Sequence, residues 1–213
     1  MNIIKPQKLN FYELKNKYLI DINDGEEIDY CNFQNEKCNN IILYDIEFEH
    51  CNFNNICMQK GKLEKLTFID VIFEQCDFSN TEFECSSFIR CQFNNCKISG
   101  CNFIENRLYN VVFIETNASY ISFSMDSVEN ILFKDTILKN GYFQENKMKN
   151  VYFDSVDLTQ TRFFRTSLRG IDLSTSKIEG IAISIGDIEG AIIDQIQAMD
   201  LIHLIGVNLK WVF

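Results

Sequence analysis

From Ile28 to Ile193 every fifth residue is apolar, at all 34 positions and without a slip of register. Sixteen of the nineteen phenylalanines fall in that one class; the exceptions are Phe11, Phe164 and Phe213. An internal repeat of this strictness decides the architecture before any other feature does. An α-helix repeats every 3.6 residues and a strand every two. Spacing by five would send the rings around the whole circumference of a helix, or alternately to both faces of a strand. It works if each unit forms one side of a four-sided coil, a short extended segment followed by a corner. Twenty residues then complete a turn, and stacked turns pair their backbones while burying the fifth residues along the axis.

The twenty-residue columns support this geometry. One reads Phe33, Phe53, Phe73, Phe93, Phe113, Phe133, Phe153, Leu173, Ile193, and a second runs from Leu43 through Phe83 and Phe163 to Ile183. The other two, starting at Cys38 and Phe48, are mixed. The residue two places before each centre is mostly small or β-branched, as in Cys51, Val71, Cys76, Thr81 and Val111, which suits a slot too tight for a ring. The other three positions carry most of the polar residues and point outward. Eight coils from residue 33 to 192 would make a rod of about 38 Å. Every centre from Phe33 to Ile188 is expected to be buried. Two residues depart from the pattern within one coil: Asp126 occupies an inward slot and Ala118 a centre.

Three segments follow: an N-terminal cap over 1–30, a β-helix over 31–193, and a helix with a dimerisation tail over 194–213. Asp194-Gln195-Ile196-Gln197 fits a capping box. Ala198, Leu201, Ile202 and Ile205 then share one helical face, and Gly206 is the expected stop. Val207, Leu209, Trp211 and Phe213 alternate behind it as an apolar strand face that wants a partner surface. These eight residues are the expected homodimer interface.

Chemistry is sparse. His50 and His203 lie far apart in the chain, and no phosphate loop, Ser-His-Asp set or HExxH occurs. A filled core leaves no pocket in which a carboxylate could be tuned. No enzyme activity, cofactor or metal is expected. Cys91, Cys96 and Cys101 occupy successive inward slots, with Phe93, Ile98 and Phe103 filling the space a metal would need. All nine cysteines are expected to be reduced, which implies the cytoplasm. The first thirty residues lack a signal-peptide apolar run, and no stretch approaches a membrane span. A net charge of −10 disfavours direct nucleic-acid binding. Sorted by side, the charge is uneven. The side centred on Phe33 carries Glu74, Glu115, Asp135, Asp154, Asp172 and Asp194 against Lys134 alone, a net of −5. The side centred on Cys38 nets +1 and the other two −2 each.

Units such as Cys31-Asn-Phe-Gln-Asn and Cys76-Asp-Phe-Ser-Asn resemble the pentapeptide-repeat family. The resemblance implies an all-β fold, a right-handed quadrilateral β-helix. The runs Ser167-Leu-Arg-Gly-Ile-Asp-Leu and Glu189-Gly-Ala-Ile-Ile-Asp, then the helix closing at Leu204-Ile-Gly-Val, are similar to the end of the Qnr quinolone-resistance proteins. That likeness implies tip-to-tip dimers that protect DNA gyrase and topoisomerase IV from quinolones, with an acidic rod imitating duplex DNA. Some members interrupt the repeat with loops; the unbroken register here resembles the loopless ones. A 38 Å duplex presents about 22 phosphates, whereas the coils carry 23 acids and 15 bases. The likeness to DNA is one of shape and sign rather than charge density. The stripe of Glu74, Glu115, Asp135, Asp154 and Asp172 is the expected partner-binding surface. The alternative is a structural or interaction scaffold with an unrelated protein partner.

Overall fold

A computed structural model describes residues 3–7, 13–207 and 210. The chain winds as a parallel β-solenoid in which pairing links residues 20 apart, as in Phe33↔Phe53, Phe53↔Phe73 and Phe73↔Phe93. Each coil has four faces, numbered here from the one centred on Phe33. Face 3 forms a seven-stranded sheet ending at Arg162–Phe164. Faces 4 and 1 are adjacent and share a twelve-stranded sheet. They fuse where the strands Arg107–Ile114, Ser127–Lys134 and Lys147–Asp154 run through the corner between them. Face 2 is held by single bridges, from Lys37↔Cys57 to Asp157↔Lys177.

The core is the expected axis. Of the 32 centres from Phe33 to Ile188, all are buried except Cys38, Met148 and Ile188, which are half-buried and lie near the ends or on a mixed column. Rings stack along each column, 4.7 Å apart for Phe33 and Phe53 and 4.4 Å for Phe73 and Phe93. Neighbouring columns meet edge to face, as Phe83 and Phe88 do at 5.5 Å. Offset stacking and T-shaped contact are the two arrangements the ring quadrupole favours. Each buried ring contributes roughly 1.5–3 kcal/mol of gross burial energy.

The inward slots hold a second system. Their side chains reach the carbonyl 23 residues back: Cys76 Sγ to Phe53 O, Thr81 Oγ1 to Met58 O, Asn106 Nδ2 to Phe83 O and Asn146 Nδ2 to Phe123 O. The slot is therefore both small and a hydrogen-bond donor position. That explains why Cys, Thr, Ser and Asn share it with Val and Ile. All nine cysteines are free. Burial pushes the Cys51, Cys91 and Cys101 thiols up to about 12, so they are poor nucleophiles.

Both ends are closed. Lys15–Asn16 pairs with Cys31 and Asn32, extending the stack by part of a coil. Buried Leu19 covers the core, its amide donating to Glu36 Oε2 at 2.9 Å. Coil pairing already begins at Glu27–Asp29, which pairs with Glu47–Glu49. At the other end come two helices, α1 (Ile185–Ile188) and α2 (Gln195–Leu201), then a 3-10 turn over Ile202–Ile205. None of the described helices is long and apolar enough to cross a membrane.

Candidate functional site

Among the described residues the structure offers surfaces rather than an enclosed site. One recess is an open groove of about 420 Å³ at the corner between faces 1 and 2, lined by Asp135, Ser155, Asp157, Thr175 and Lys177 among others. It sits where the acidic stripe was expected. Glu115 and Asp135 occupy the same corner position one coil apart and are both exposed. Asp154 stands beside them on the strand Lys147–Asp154 and faces Lys134, whose Nζ is 4.0 Å from Asp154 Oδ2. Both partners are about half exposed, so this pair is weak. The structure thus brings Glu115, Asp135 and Asp154 together. Glu74 lies two coils away and accepts from Asn94 Nδ2 at 3.1 Å. Asp172 lies toward the opposite edge of the face; hydrogen bonding from Ser174 holds its carboxyl below the usual range.

The C-terminal helix starts with the capping box its sequence suggested. Asp194 Oδ1 accepts from the amides of Ile196 and Gln197, and Gln197 Oε1 accepts from the Asp194 amide. Gln197 is then buried, its Nε2 donating at 2.7 Å to both Leu173 O and Ser176 O. Leu201 is buried beside the coil and Leu204 packs against the core. The face docked on the coil is Gln197, Leu201 and Leu204, so of the residues expected at the dimer interface Leu201 is turned inward. Ala198, Ile205 and Val207 are exposed and Ile202 is half-buried. Ile196 and Met199 join them as exposed apolar residues that the sequence pattern did not single out. Leu209, Trp211 and Phe213 lie outside the described residues.

A polar cluster at the corner between faces 4 and 1 was not foreseen. His50 Nδ1 lies 3.0 Å from Asp29 Oδ1 and 3.8 Å from Glu49 Oε1, and its ring stacks on Tyr30 at 4.6 Å. These three groups are close enough to share a cation, and His50 with Asp29 joins two stacked corners. Residues 3–7 run along this corner instead of over the end of the rod. Ile4 N donates to Asn110 Oδ1, Gln7 N to Asp70 Oδ1, and Gln7 Oε1 lies 3.0 Å from His50 Nε2. Burial alone would raise the Asp70 carboxyl. The Arg90 fork, at 2.8 and 2.6 Å, and the Gln7 amide prevail and hold it below the usual range. Nearby Val112 and Leu132 are buried although their positions point outward.

The family model described as pentapeptide repeat region matches residues 66–140 and 86–163. Over that stretch the chain carries pentapeptide repeats, and the 20-residue register folds it as a parallel β-solenoid. Similar solved structures include a trypsin-treated form of QnrB1, a plasmid-mediated fluoroquinolone resistance protein. It is 22% identical with a TM-score of 0.41, over 88% of this chain and 91% of that one. Another is HetL, a pentapeptide-repeat protein involved in heterocyst differentiation regulation from the cyanobacterium Nostoc, 12% identical with a TM-score of 0.40, over 81% and 91%. Rfr23 from the cyanobacterium Cyanothece is 13% identical with a TM-score of 0.29, over 70% and 91%. No curated protein matches the sequence.

Proposed function

We propose that this protein is a non-catalytic, cytoplasmic rod that binds the DNA-gripping surface of DNA gyrase or topoisomerase IV and protects the enzyme from quinolones. The observation that carries this reading is the uneven charge around the axis. Face 1 nets −5, and Glu115, Asp135 and Asp154 come together at its corner. A basic DNA-binding saddle attracts such a surface through long-range fields that depend on ionic strength. The C-terminal likeness to Qnr proteins supports the same partner. Exposed Ile196, Met199, Ile205 and Val207 would lie in a symmetric homodimer interface that doubles the length of the rod.

A scaffold with another partner is the competing reading. It is favoured by Lys134 beside Asp154 and by Asn94 bonded to Glu74, which soften the stripe. Gyrase supercoiling in the presence of a quinolone separates the two. The proposal expects added protein to restore supercoiling at a concentration near that of the enzyme. Gyrase supercoiling and topoisomerase IV decatenation that both stay blocked at a large excess of protein would leave the scaffold.

A further inference from the structure

The inward slots of face 4 form a ladder through the middle of the rod. Leu66 N donates to Ser86 Oγ, Ser86 N to Asn106 Oδ1, Asn106 N to Asp126 Oδ1, Asp126 N to Asn146 Oδ1, and Asn146 N to Thr166 Oγ1. Asp126 is a rung between two asparagines. Asn106 and Asn146 each use their second side-chain atom, Nδ2, to donate to the carbonyl 23 residues back. For Asp126 that carbonyl belongs to Phe103. The matching atom, Oδ2, is buried and has no partner in the structure. Two acceptors, a carboxylate oxygen and a carbonyl, cannot face each other in a dry interior without a proton between them.

We propose that Asp126 is held as the neutral acid, donating from Oδ2 to the Phe103 carbonyl, and that loss of this proton loosens the middle of the rod. Burial pushes the Asp126 carboxyl up to about 7, while hydrogen bonds from Asn106 and the Ser124 backbone only partly oppose this. On faces 3 and 4 of its own coil and of the coils on either side, the charged side chains are Glu105, Arg107, Glu129, Glu145, Lys147 and Lys149. All of these stand at outward positions, and Lys149 is paired with Glu129 and Glu145 with Arg165. None replaces the missing donor. The same coil carries Ala118, the smallest centre in the core.

The sign follows from linkage. The folded carboxyl holds its proton to about pH 7 and the unfolded one loses it near 4, so the rung's contribution is complete in acid. It is lost as pH rises between these values, by about tenfold in the folding equilibrium per pH unit. Asp126→Asn supplies a permanent donor of the same shape. Two measurements on the full chain test the proposal: urea midpoints of wild type and D126N across pH, and the infrared band of a protonated carboxylic acid. The proposal expects the midpoint of D126N to exceed that of wild type by a margin that grows from about pH 4 to about pH 7 and is level above it. It also expects a protonated-acid band near pH 5 that is absent from D126N and lost from wild type near pH 9. A margin independent of pH, or no such band in wild type near pH 5, would overturn it.

Discussion

At the scale of a residue, the coil makes two demands, and only one is about apolarity. The residue two places after each centre sits at a corner with left-handed backbone, from Tyr30 at φ 50° to Arg165 at φ 48°. That conformation costs an ordinary L-residue about 1–2 kcal/mol. Asn holds nine of these 27 non-glycine positions, and none is Val, Ile or Thr. Thr175 and Ile185, which fall at this position, have no positive φ. Asn also stacks into ladders, as Asn55 Nδ2 does on Asn35 Oδ1 at 2.8 Å. Asn55→Val should therefore cost about 1–2 kcal/mol. Tyr120→Gly, at an exposed corner with φ 61°, should gain about 0.5 kcal/mol. Urea titration of both variants checks the pair. The centres were legible in the sequence because burial selects a narrow class of residues. The corners were not, because left-handed backbone excludes only β-branched residues strictly and leaves a mixed polar position that reads as surface.

At the scale of an element, the C-terminal cap shows how far local rules reach. The capping box of Asp194 and Gln197 and the stop at Gly206, φ 75°, could be read from residue types and spacing. The docked face could not. Apolarity singles out Ala198, Ile202 and Ile205 as a dimer interface, whereas the last coil presents the carbonyls of Leu173 and Ser176 and the Gln197 amide donates to both. Helix α1 was also missed. Ile185 cannot readily take the left-handed corner, so the chain turns helical behind Ser184, whose Oγ accepts from Asp187 N at 3.1 Å. Gln197→Ala should leave the Ser176 carbonyl unpaired, leave Leu173 O with the Ser176 amide alone, and cost about 1–3 kcal/mol. Thermal melting measures the loss, and hydrogen exchange should place it in the last coil and α2.

At the scale of the molecule, stacking in register converts a one-dimensional pattern into faces, and the faces carry the proposed function. Charge sorted by side was available from the sequence because the register never slips. What the sequence could not show is which charges meet. Stacking brings Glu115 and Asp135 one above the other and puts Asp154 next to Lys134. Glu74 lies two coils away and Asp172 toward the far edge. At the corner Asp135 contributes its backbone amide, which donates to Asp154 O at 2.9 Å, and the Asp154 side chain makes only the weak pair and an exposed bond from Ser155 Oγ at 3.2 Å. Both can therefore be reversed without disturbing the core. The decisive measurement is binding of the Asp135→Lys, Asp154→Lys double variant to gyrase and topoisomerase IV across a salt series. The account predicts an unchanged melting temperature, affinity weakened by about tenfold at low salt, and a flatter salt dependence than wild type. Wild-type affinity with wild-type salt dependence would show that the acidic face is not the contact surface.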